Sequence, residues 1–418
     1  MADQDDVEAS VAFFYPFPLQ YPHMRILYLQ TFPLWGSGSG TYARYLASEI
    51  GKHFKVGMVA PDNRKVPNVT LFPLKMPFRV AFTGHPEWPD CRLYTQLSNH
   101  EMIWVYKDFL DSTVYAVENF QPNIIHVHHA FPLTWVARVV KSTYQIPYII
   151  SIHGSELPTI QKDKRYLALT SDALRRARRV VPNSFWTKEW LFKIFGNEFR
   201  SNVRVIPGGV DIKKFNPNLD TSDIDKKYGL KGKKIVLFAG KLTAYKGVKY
   251  LVKAARKIPA EVVILGEGPE RKALEQRAKD YGLTNIHFIG HLGTSNDLNK
   301  FYKRASIFVA PSVWDEPLGL VILEAMACKT PVVVTRKGGI PLAVKDGVNG
   351  YFVRPRNASE IVEKVNLLLE NEEKRMKMAE NARRIAEEKF SWEAIAHRFI
   401  LMYMRFAYFP KNKNHNKN

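Results

Sequence analysis

The chain has 418 residues, 46% of them hydrophobic, more than a single core usually serves, so two domains are expected. Two cysteines, Cys91 and Cys328, exclude a disulfide framework and fit a reducing compartment. No apolar run reaches the length of a membrane span, and the acidic opening MADQDDVEAS is unlike a secretory or mitochondrial leader, so a cytoplasmic protein is expected. The net charge of +21 leaves nucleic acid, an anionic membrane surface or phosphorylated small molecules as partners. The basic residues are mostly scattered, which argues against nucleic acid.

Residues 1–23 are aromatic and proline-rich without periodicity and read as a disordered extension, or as an upstream start that the working protein does not need. Met24 opens MRILYLQ, a first strand, followed by the glycine turn of LWGSGSG and the helical TYARYLASEIGK. IIHVHH (124–129), YIISIHG (148–154) and VVPNS (180–184) read as further strands, and VRVIPGGVD (203–211) ends the first half. KKIVLFAGK, EVVILGEG, IHFIGHL, SIFVAPS and PVVVTRKGG form a second set, with helical patterns between and after them. Short apolar strands that each feed a helix predict parallel sheets covered on both faces, an α/β class with two Rossmann-like doubly wound domains.

The reading places one domain at 24–205 and a second at 206–390. A returning amphipathic helix at 391–409 and a disordered basic tail at 410–418 follow. In doubly wound folds ligands bind beyond the carboxyl ends of the strands. Every stretch singled out below lies at such an end.

FAGKLTAYKG (238–247) follows a strand and precedes a helix. Gly240 permits a tight turn, and Lys241 and Lys246 with a helix start suit a diphosphate. The stretch is not a P-loop, and two lysines in a loop are often only surface lysines. In LWGSGSGTYARYLA, Gly36, Gly38 and Gly40 let backbone amides approach an anion or a sugar, or simply make a tight turn. The spacing is G-x-G-x-G, not the dinucleotide fingerprint.

PSVWDEPLGLVILEAMA carries Glu316 and Glu324, eight positions apart. Eight helical residues rise about 12 Å, roughly the length of a sugar–diphosphate–ribose unit. Glu316 would then meet hydroxyls at one end and Glu324 a ribose at the other. The N–H groups of Leu318, Gly319 and Leu320 would meet the sugar or phosphate. A carboxylate in an apolar run requires hydrogen-bond partners, which ribose hydroxyls or a salt bridge to a neighbouring helix would supply. No D-x-D motif stands nearby, so no metal is expected.

With GSGSG, IIHVHH, SIHG, IPGGVD, FAGKL followed by KG, ILGEGPE, FIGHL, APS and EPLGLVILEAMA in this order, the chain resembles a family-4-type glycosyltransferase of the GT-B fold from Met24 to about Tyr408. The resemblance implies a retaining hexosyltransferase that uses a nucleotide-diphosphate-sugar as co-substrate, with no metal and no other cofactor. It implies that Lys241 and Lys246 hold the diphosphate, Glu324 the ribose and Glu316 the donor sugar or reacting face. Gly38 to Gly40 would line the cleft, and His153 would lie near the donor sugar and phosphate. The sequence departs from the family pattern at Lys241 (usually arginine), Gly208 (usually asparagine), Lys329 (usually glycine) and Leu342 (usually glutamate).

The acceptor is expected in the first domain, a saccharide or a lipid-linked hydroxyl. The aromatic stretches 78–96 and 128–135 suit the former. The cluster Arg175, Arg176, Arg178 and Arg179 suits peripheral contact with acidic lipid headgroups or is a solvated helix face. Two other readings stand beside transfer: a nucleotide-sugar epimerase on the same fold, and a non-catalytic binder of polyanions or membrane surfaces.

Overall fold

A computed structural model of the protein describes residues 23–85, 87–292 and 297–408. The expectations for the N-terminal extension to residue 22 and for the basic tail lie outside the described residues. The chain divides into two compact units: the first holds the residues up to Val181, Ile194–Arg204 and those from Ala396, and the second holds Pro182–Lys193 and Val205–Ile395.

The first unit carries β1 (Arg25–Leu29), β2 (Lys55–Ala60), β3 (Val69–Pro73), the two-residue strands β4 (Val80–Ala81) and β5 (Arg92–Leu93), β6 (Ile124–His128), β7 (Tyr148–Ile152) and β8 (Arg179–Pro182). Six of them form a parallel sheet in the order β3-β2-β1-β6-β7-β8. The second unit carries β9 (Ile235–Ala239), β10 (Glu261–Leu265), β11 (Ile286–Gly290), β12 (Ile307–Ala310), β13 (Val332–Thr335) and β14 (Gly350–Val353), ordered β11-β10-β9-β12-β13-β14. In each sheet the strand order reverses once, between β1 and β6 and between β9 and β12. Ligands of doubly wound sheets bind at that reversal.

The apolar strand runs follow from burial on both faces. In the second sheet Leu237, Val263, Phe308, Val332 and Val334 pack with the helices Leu320–Ala327 and Glu372–Phe390. Their neighbours Val236, Phe238, Val262, Ile264, Ile307, Val309 and Val333 pack on the opposite side with the helices Val248–Ala255 and Ala358–Glu370. Alternate residues of a strand point to opposite faces, so a run with both faces covered must be apolar throughout.

The structure adds what the sequence reading left out: β2, β3, β14 and the helix Asn99–Phe120. β2 is interrupted by Gly57, where a Cβ would come 3.1 Å from Leu27, Phe72 and Phe120 side chains. A glycine there lets Phe120 and Phe72 close over the strand. The segment 203–211 forms no ladder, only the isolated bridges Val180 to Val203 and Val210 to Ser391. The long helical pattern after Ala358 is two helices, broken at Asn371, whose side chain caps the second by accepting from the Lys374 N–H.

The last helix, Trp392–Phe406, contributes its residues from Ala396 onward to the first unit. The amphipathic stretch is therefore covered as expected, by the first sheet. Tyr403 is fully buried, and its hydroxyl lies 2.7 Å from the Tyr28 hydroxyl and 2.6 Å from His126 Nδ1. Tyr403→Phe removes one hydroxyl and leaves two buried polar groups short of a partner, so a loss of about 2–3 kcal/mol is expected. Urea unfolding checks this; in Tyr28→Phe/Tyr403→Phe the loss should be smaller than the sum of the single losses, because the pair shares one hydrogen bond.

Candidate functional site

The second unit holds eight of the residues singled out from sequence. β9 ends at Ala239, and Gly240 turns the chain at φ +153°. Lys241 follows, exposed and without an ion pair among the described residues. A short 3-10 turn, Ala244–Lys246, leads through Gly247 (φ +66°) into the helix Val248–Ala255. Beyond β12 the loop 311–319 lies against this turn, and the Val313 N–H donates to the Tyr245 carbonyl at 2.8 Å.

These two loops meet in an ion pair. Lys246 Nζ lies 2.8 Å from Glu316 Oε2, and the Ser312 hydroxyl donates to Glu316 Oε1. Both charged side chains are partly buried. A third loop, after β13, closes behind Glu316: the Gly339 N–H donates to the Glu316 carbonyl at 2.7 Å, and the Gly338 N–H to Asp315 Oδ1 at 2.9 Å. The pair therefore sits at the strand-order reversal of the second sheet, where β9 and β12 adjoin.

Glu324 lies one turn inside the helix Leu320–Ala327. The expected run of eight helical residues from Glu316 is not found. Residues 316–319 are irregular, with Gly319 at φ +78° as the helix N-cap, so helix geometry does not set the spacing of the two carboxylates. Leu318 is buried, and Gly319 and Leu320 open the helix with no side-chain cap. Glu324 accepts from the Tyr302 hydroxyl at 2.9 Å, not from a neighbouring cation. Burial raises its carboxyl above the ordinary range, although Tyr302 and Lys214 oppose the shift. Sequence reasoning missed Tyr302, which has no motif of its own, and gave Ser312, visible in APS, no role of its own. Gly338 and Gly339 were visible as GG after a strand.

The first unit holds His153, Gly38 and Gly40. Gly38 and Gly40 open the helix Gly38–Ile50, capped by Ser37, whose Oγ accepts from the Gly40 N–H at 3.1 Å. A Cβ at Gly40 would stand 2.3 Å from the Pro33 carbonyl, so this glycine is required by close approach of the chain itself. His153 follows β7. Its Nε2 lies 2.9 Å from His128 Nδ1, its ring stacks on His128 with centroids 5.2 Å apart, and Tyr42 meets it edge-on at 5.0 Å. Burial, helped by His129, lowers the His153 pKa to about 3, and burial lowers His126 and His128 well below the ordinary value. Burial pushes the Glu156 carboxyl up, but His129 and His153 beside it outweigh that and hold it at about 2.

The histidine cluster borders a set of unsatisfied buried atoms. Gln30 Nε2 and Oε1, Thr31 Oγ1, His128 Nε2 and His129 Nε2 make no hydrogen bond among the described residues. Gln30 and Thr31 follow β1 and the histidines end β6, so all lie at the strand-order reversal of the first sheet. Buried polar atoms without partners are costly, and water or a polar ligand would satisfy them.

Further along the same edge, a cavity of about 550 Å³ opens beyond β2 and β3. On its wall Arg64 donates to Asp62 at 2.8 Å and to Glu87 Oε1 at 3.0 Å, and the guanidinium covers the ring of Trp35, which is not itself part of the lining, 4.1 Å from the ring centre. Arg79 and Trp88 also line it, with prolines and Leu74 around them.

The arginine cluster is partly neutralised. Arg175 pairs with Glu198 at 2.7 Å, Arg176 approaches Asp172 at 3.9 Å, Arg179 lies over the Phe406 ring at 4.9 Å, and Arg178 is exposed with no ion pair among the described residues. Among the described residues no helix is long and apolar enough to cross a membrane, and no group of three His, Cys, Asp or Glu side chains is placed to hold a metal ion.

Comparison with known proteins decides the family. The model for glycosyl transferases group 1 matches residues 220–385, and the model for Glycosyltransferase Family 4 matches residues 36–214. An uncharacterised glycosyltransferase of Methanocaldococcus jannaschii is 33% identical over 295 residues, covering 67% of this chain and 75% of that protein. The chain belongs to the group 1 glycosyltransferases. Spore coat protein SA of Bacillus subtilis is also similar to this glycosyltransferase, 28% identical over 66% of the chain and 77% of that protein. Two solved structures share its fold at 21% identity and a TM-score of 0.72: sucrose-phosphate synthase from Thermosynechococcus elongatus, over 92% of this chain and 99% of that one, and Anabaena HepE in complex with UDP, over 91% and 100%. The glycosyltransferase thus has the GT-B fold, two parallel six-stranded sheets covered by helices.

The neutral histidines make the first unit acid-sensitive. Their folded pKa values lie below the ordinary 6.5, so the unfolded chain binds protons that the folded one refuses. This stability is complete above pH 6.5 and falls as pH drops towards 3, by at most about 1.4 kcal/mol per pH unit for each histidine. Amide hydrogen exchange in β6 and β7 at pH 7, 6 and 5 should show the loss, and His153→Gln should reduce its slope.

Proposed function

We propose that this glycosyltransferase is a retaining, metal-independent hexosyltransferase that moves a sugar from a nucleoside-diphosphate sugar to a hydroxyl of a saccharide acceptor. The observation that carries the reading is the Lys246–Glu316 ion pair at the strand-order reversal of the second sheet, with Glu324 on the helix that follows.

In this reading Lys246 and Lys241 hold the diphosphate, Gly240 lets the turn approach it, and the N–H groups of Leu318, Gly319 and Leu320 face the sugar and phosphate. Fixed cations act most strongly where charge develops, and the diphosphate departs as an anion. Lys246 exchanges part of its contact with Glu316 for the phosphate, and the freed carboxylate oxygen accepts a sugar hydroxyl. Glu324, already bonded to Tyr302 through Oε2, accepts ribose hydroxyls through Oε1. The acceptor hydroxyl attacks the anomeric carbon on the face the diphosphate leaves. The C–O bond to phosphate breaks, the new glycosidic bond forms, and the hydroxyl proton passes to the departing phosphate oxygen. His153, neutral at pH 7, acts near the donor sugar as a hydrogen-bonding group, and Gly38 and Gly40 bring backbone close to the diphosphate.

The acceptor is assigned to the 550 Å³ cavity of the first unit. Its array of Asp62, Arg64 and Glu87 offers hydroxyl partners, and Trp88 in the lining supplies an aromatic side chain, the combination that sugar rings require. That cavity favours transfer over epimerisation, which needs no acceptor. It also favours a saccharide over a lipid headgroup at the arginine cluster, where Arg175, Arg176 and Arg179 already have partners. HepE has been solved with UDP and with UDP-glucose, so uridine donors head the panel to be tried. A cytoplasmic site of action fits a nucleotide-sugar donor.

Purified protein incubated with UDP-, GDP-, ADP- and TDP-sugars should release the nucleoside diphosphate slowly from one of them. Glu324→Ala should weaken nucleotide binding about tenfold, whereas Lys246→Ala should lower turnover about a hundredfold with a smaller effect on binding. Full activity in both variants overturns the assignment.

A further inference from the structure

The two loops that form the Lys246–Glu316 pair also hold out an aromatic pair that the reaction as described does not use. Tyr245 is 61% exposed and Trp314 52% exposed, yet their rings touch, with centroids 5.5 Å apart and planes tilted by 56°. Tyr245 precedes Lys246 in the chain, and Trp314 lies two residues before Glu316. The backbone holds them together: besides the bond from the Val313 N–H to the Tyr245 carbonyl, Gly247 passes so close to Pro311 that a Cβ would stand 2.1 Å from its carbonyl oxygen. The aromatic pair is thus fixed relative to the ion pair by the same crossing of two loops.

Folding gives no reason for this arrangement. Large rings are stabilising when buried, and half-exposed ones forgo much of that gain. Neither ring belongs to the two apolar clusters of the second unit. Aromatic side chains lose little conformational freedom on binding, so a pair held rigidly in solvent is a ready platform. Its partner must combine an apolar face with hydroxyls, because the platform adjoins a carboxylate and an ammonium. A pyranose meets both demands: its C–H face lies on the rings while its hydroxyls reach Glu316 and Lys246.

We infer that Tyr245 and Trp314 form a sugar-stacking platform beside the Lys246–Glu316 pair, which sets the specificity of this glycosyltransferase for a pyranose ring. The inference rests on the donor-site reading above, in which Glu316 marks the sugar side of the diphosphate and Glu324 the nucleoside side. Trp314 shares a loop with Glu316, which puts the platform on the sugar side. The ring stacked there belongs either to the donor sugar or to the acceptor saccharide.

The test uses the full chain and the variants Tyr245→Ala, Trp314→Ala and Trp314→Tyr, with thermal melts to confirm folding. Calorimetric titration with UDP, GDP and ADP, and with the matching nucleotide-sugars, reads the donor arm. Intrinsic fluorescence titration with glucose, maltose and sucrose reads the acceptor arm. In both alanine variants the affinity for the nucleoside diphosphate should stay within twofold of wild type. Loss of about tenfold in affinity for the nucleotide-sugar assigns the platform to the donor ring. A similar loss for the free saccharide assigns it to the acceptor. Trp314→Tyr should restore most of whichever is lost. A tenfold loss of nucleoside diphosphate affinity, or no change in either arm, overturns the platform. Wild-type protein that binds none of the nucleotides overturns the donor-site reading itself, before any variant is compared.

Discussion

The carboxyl end of the second sheet depends on backbone running against backbone with no side chain between. A Cβ at Gly266 would stand 1.9 Å from the Gly240 carbonyl oxygen, and one at Gly268 2.3 Å from that of Leu242. Gly247 stands in the same relation to Pro311, Gly338 to Glu316 and Gly339 to Pro317, at 2.1, 2.0 and 2.0 Å. Real Cβ atoms do not approach oxygen so closely, so any larger residue at these five positions drives two loops apart. The loops after β9, β10, β12 and β13 are stacked by this means, and Lys246 meets Glu316 only because they are. A long lysine and a short glutamate on separate loops would otherwise lose considerable side-chain entropy in finding each other.

Charge is handled differently in the two units. In the second, each carboxylate of interest keeps one oxygen on a hydroxyl, Ser312 for Glu316 and Tyr302 for Glu324, which orients it without neutralising it. In the first, burial keeps His126, His128 and His153 neutral, and His128 Nδ1 lies within hydrogen-bond distance of His153 Nε2. Neutral imidazoles cost far less to bury than imidazolium ions, which is how several of them stand in contact at one sheet edge. The atoms of Gln30, Thr31, His128 and His129 at that edge remain without hydrogen-bond partners among the described residues.

Much of the second unit was legible because its signals are local. FAGKLTAYKG and EPLGLVILEAMA each place glycines, charges and an apolar run within a dozen residues, and strand and helix periods differ visibly on either side. The strands β2 and β3 escaped notice because Gly57 interrupts the first and half-exposure weakens the pattern of the second. Pro317 and Gly319 read as the turn into a helix over LGLVILEAMA with Glu316 just before it, whereas the helix begins only at Leu320. The turn is decided by Gly319 at φ +78°, and by Gly338 and Gly339, which crowd the backbone of Glu316 and Pro317 from another loop.

By itself the sequence determined the class of the protein: two alternations of apolar strand and helix, a glycine turn with two lysines, and two glutamates around a helix start. These are properties of short segments, and chain stiffness and hydrophobic period express them without reference to the rest of the molecule. Only the tertiary structure decided which groups meet. That Lys246 holds Glu316 across 70 residues, that Tyr302 and not a cation holds Glu324, and that Tyr245 touches Trp314 all depend on the strand order that sets β9 beside β12. Strand order is a long-range outcome of burial on both faces of a sheet, and no local pattern encodes it.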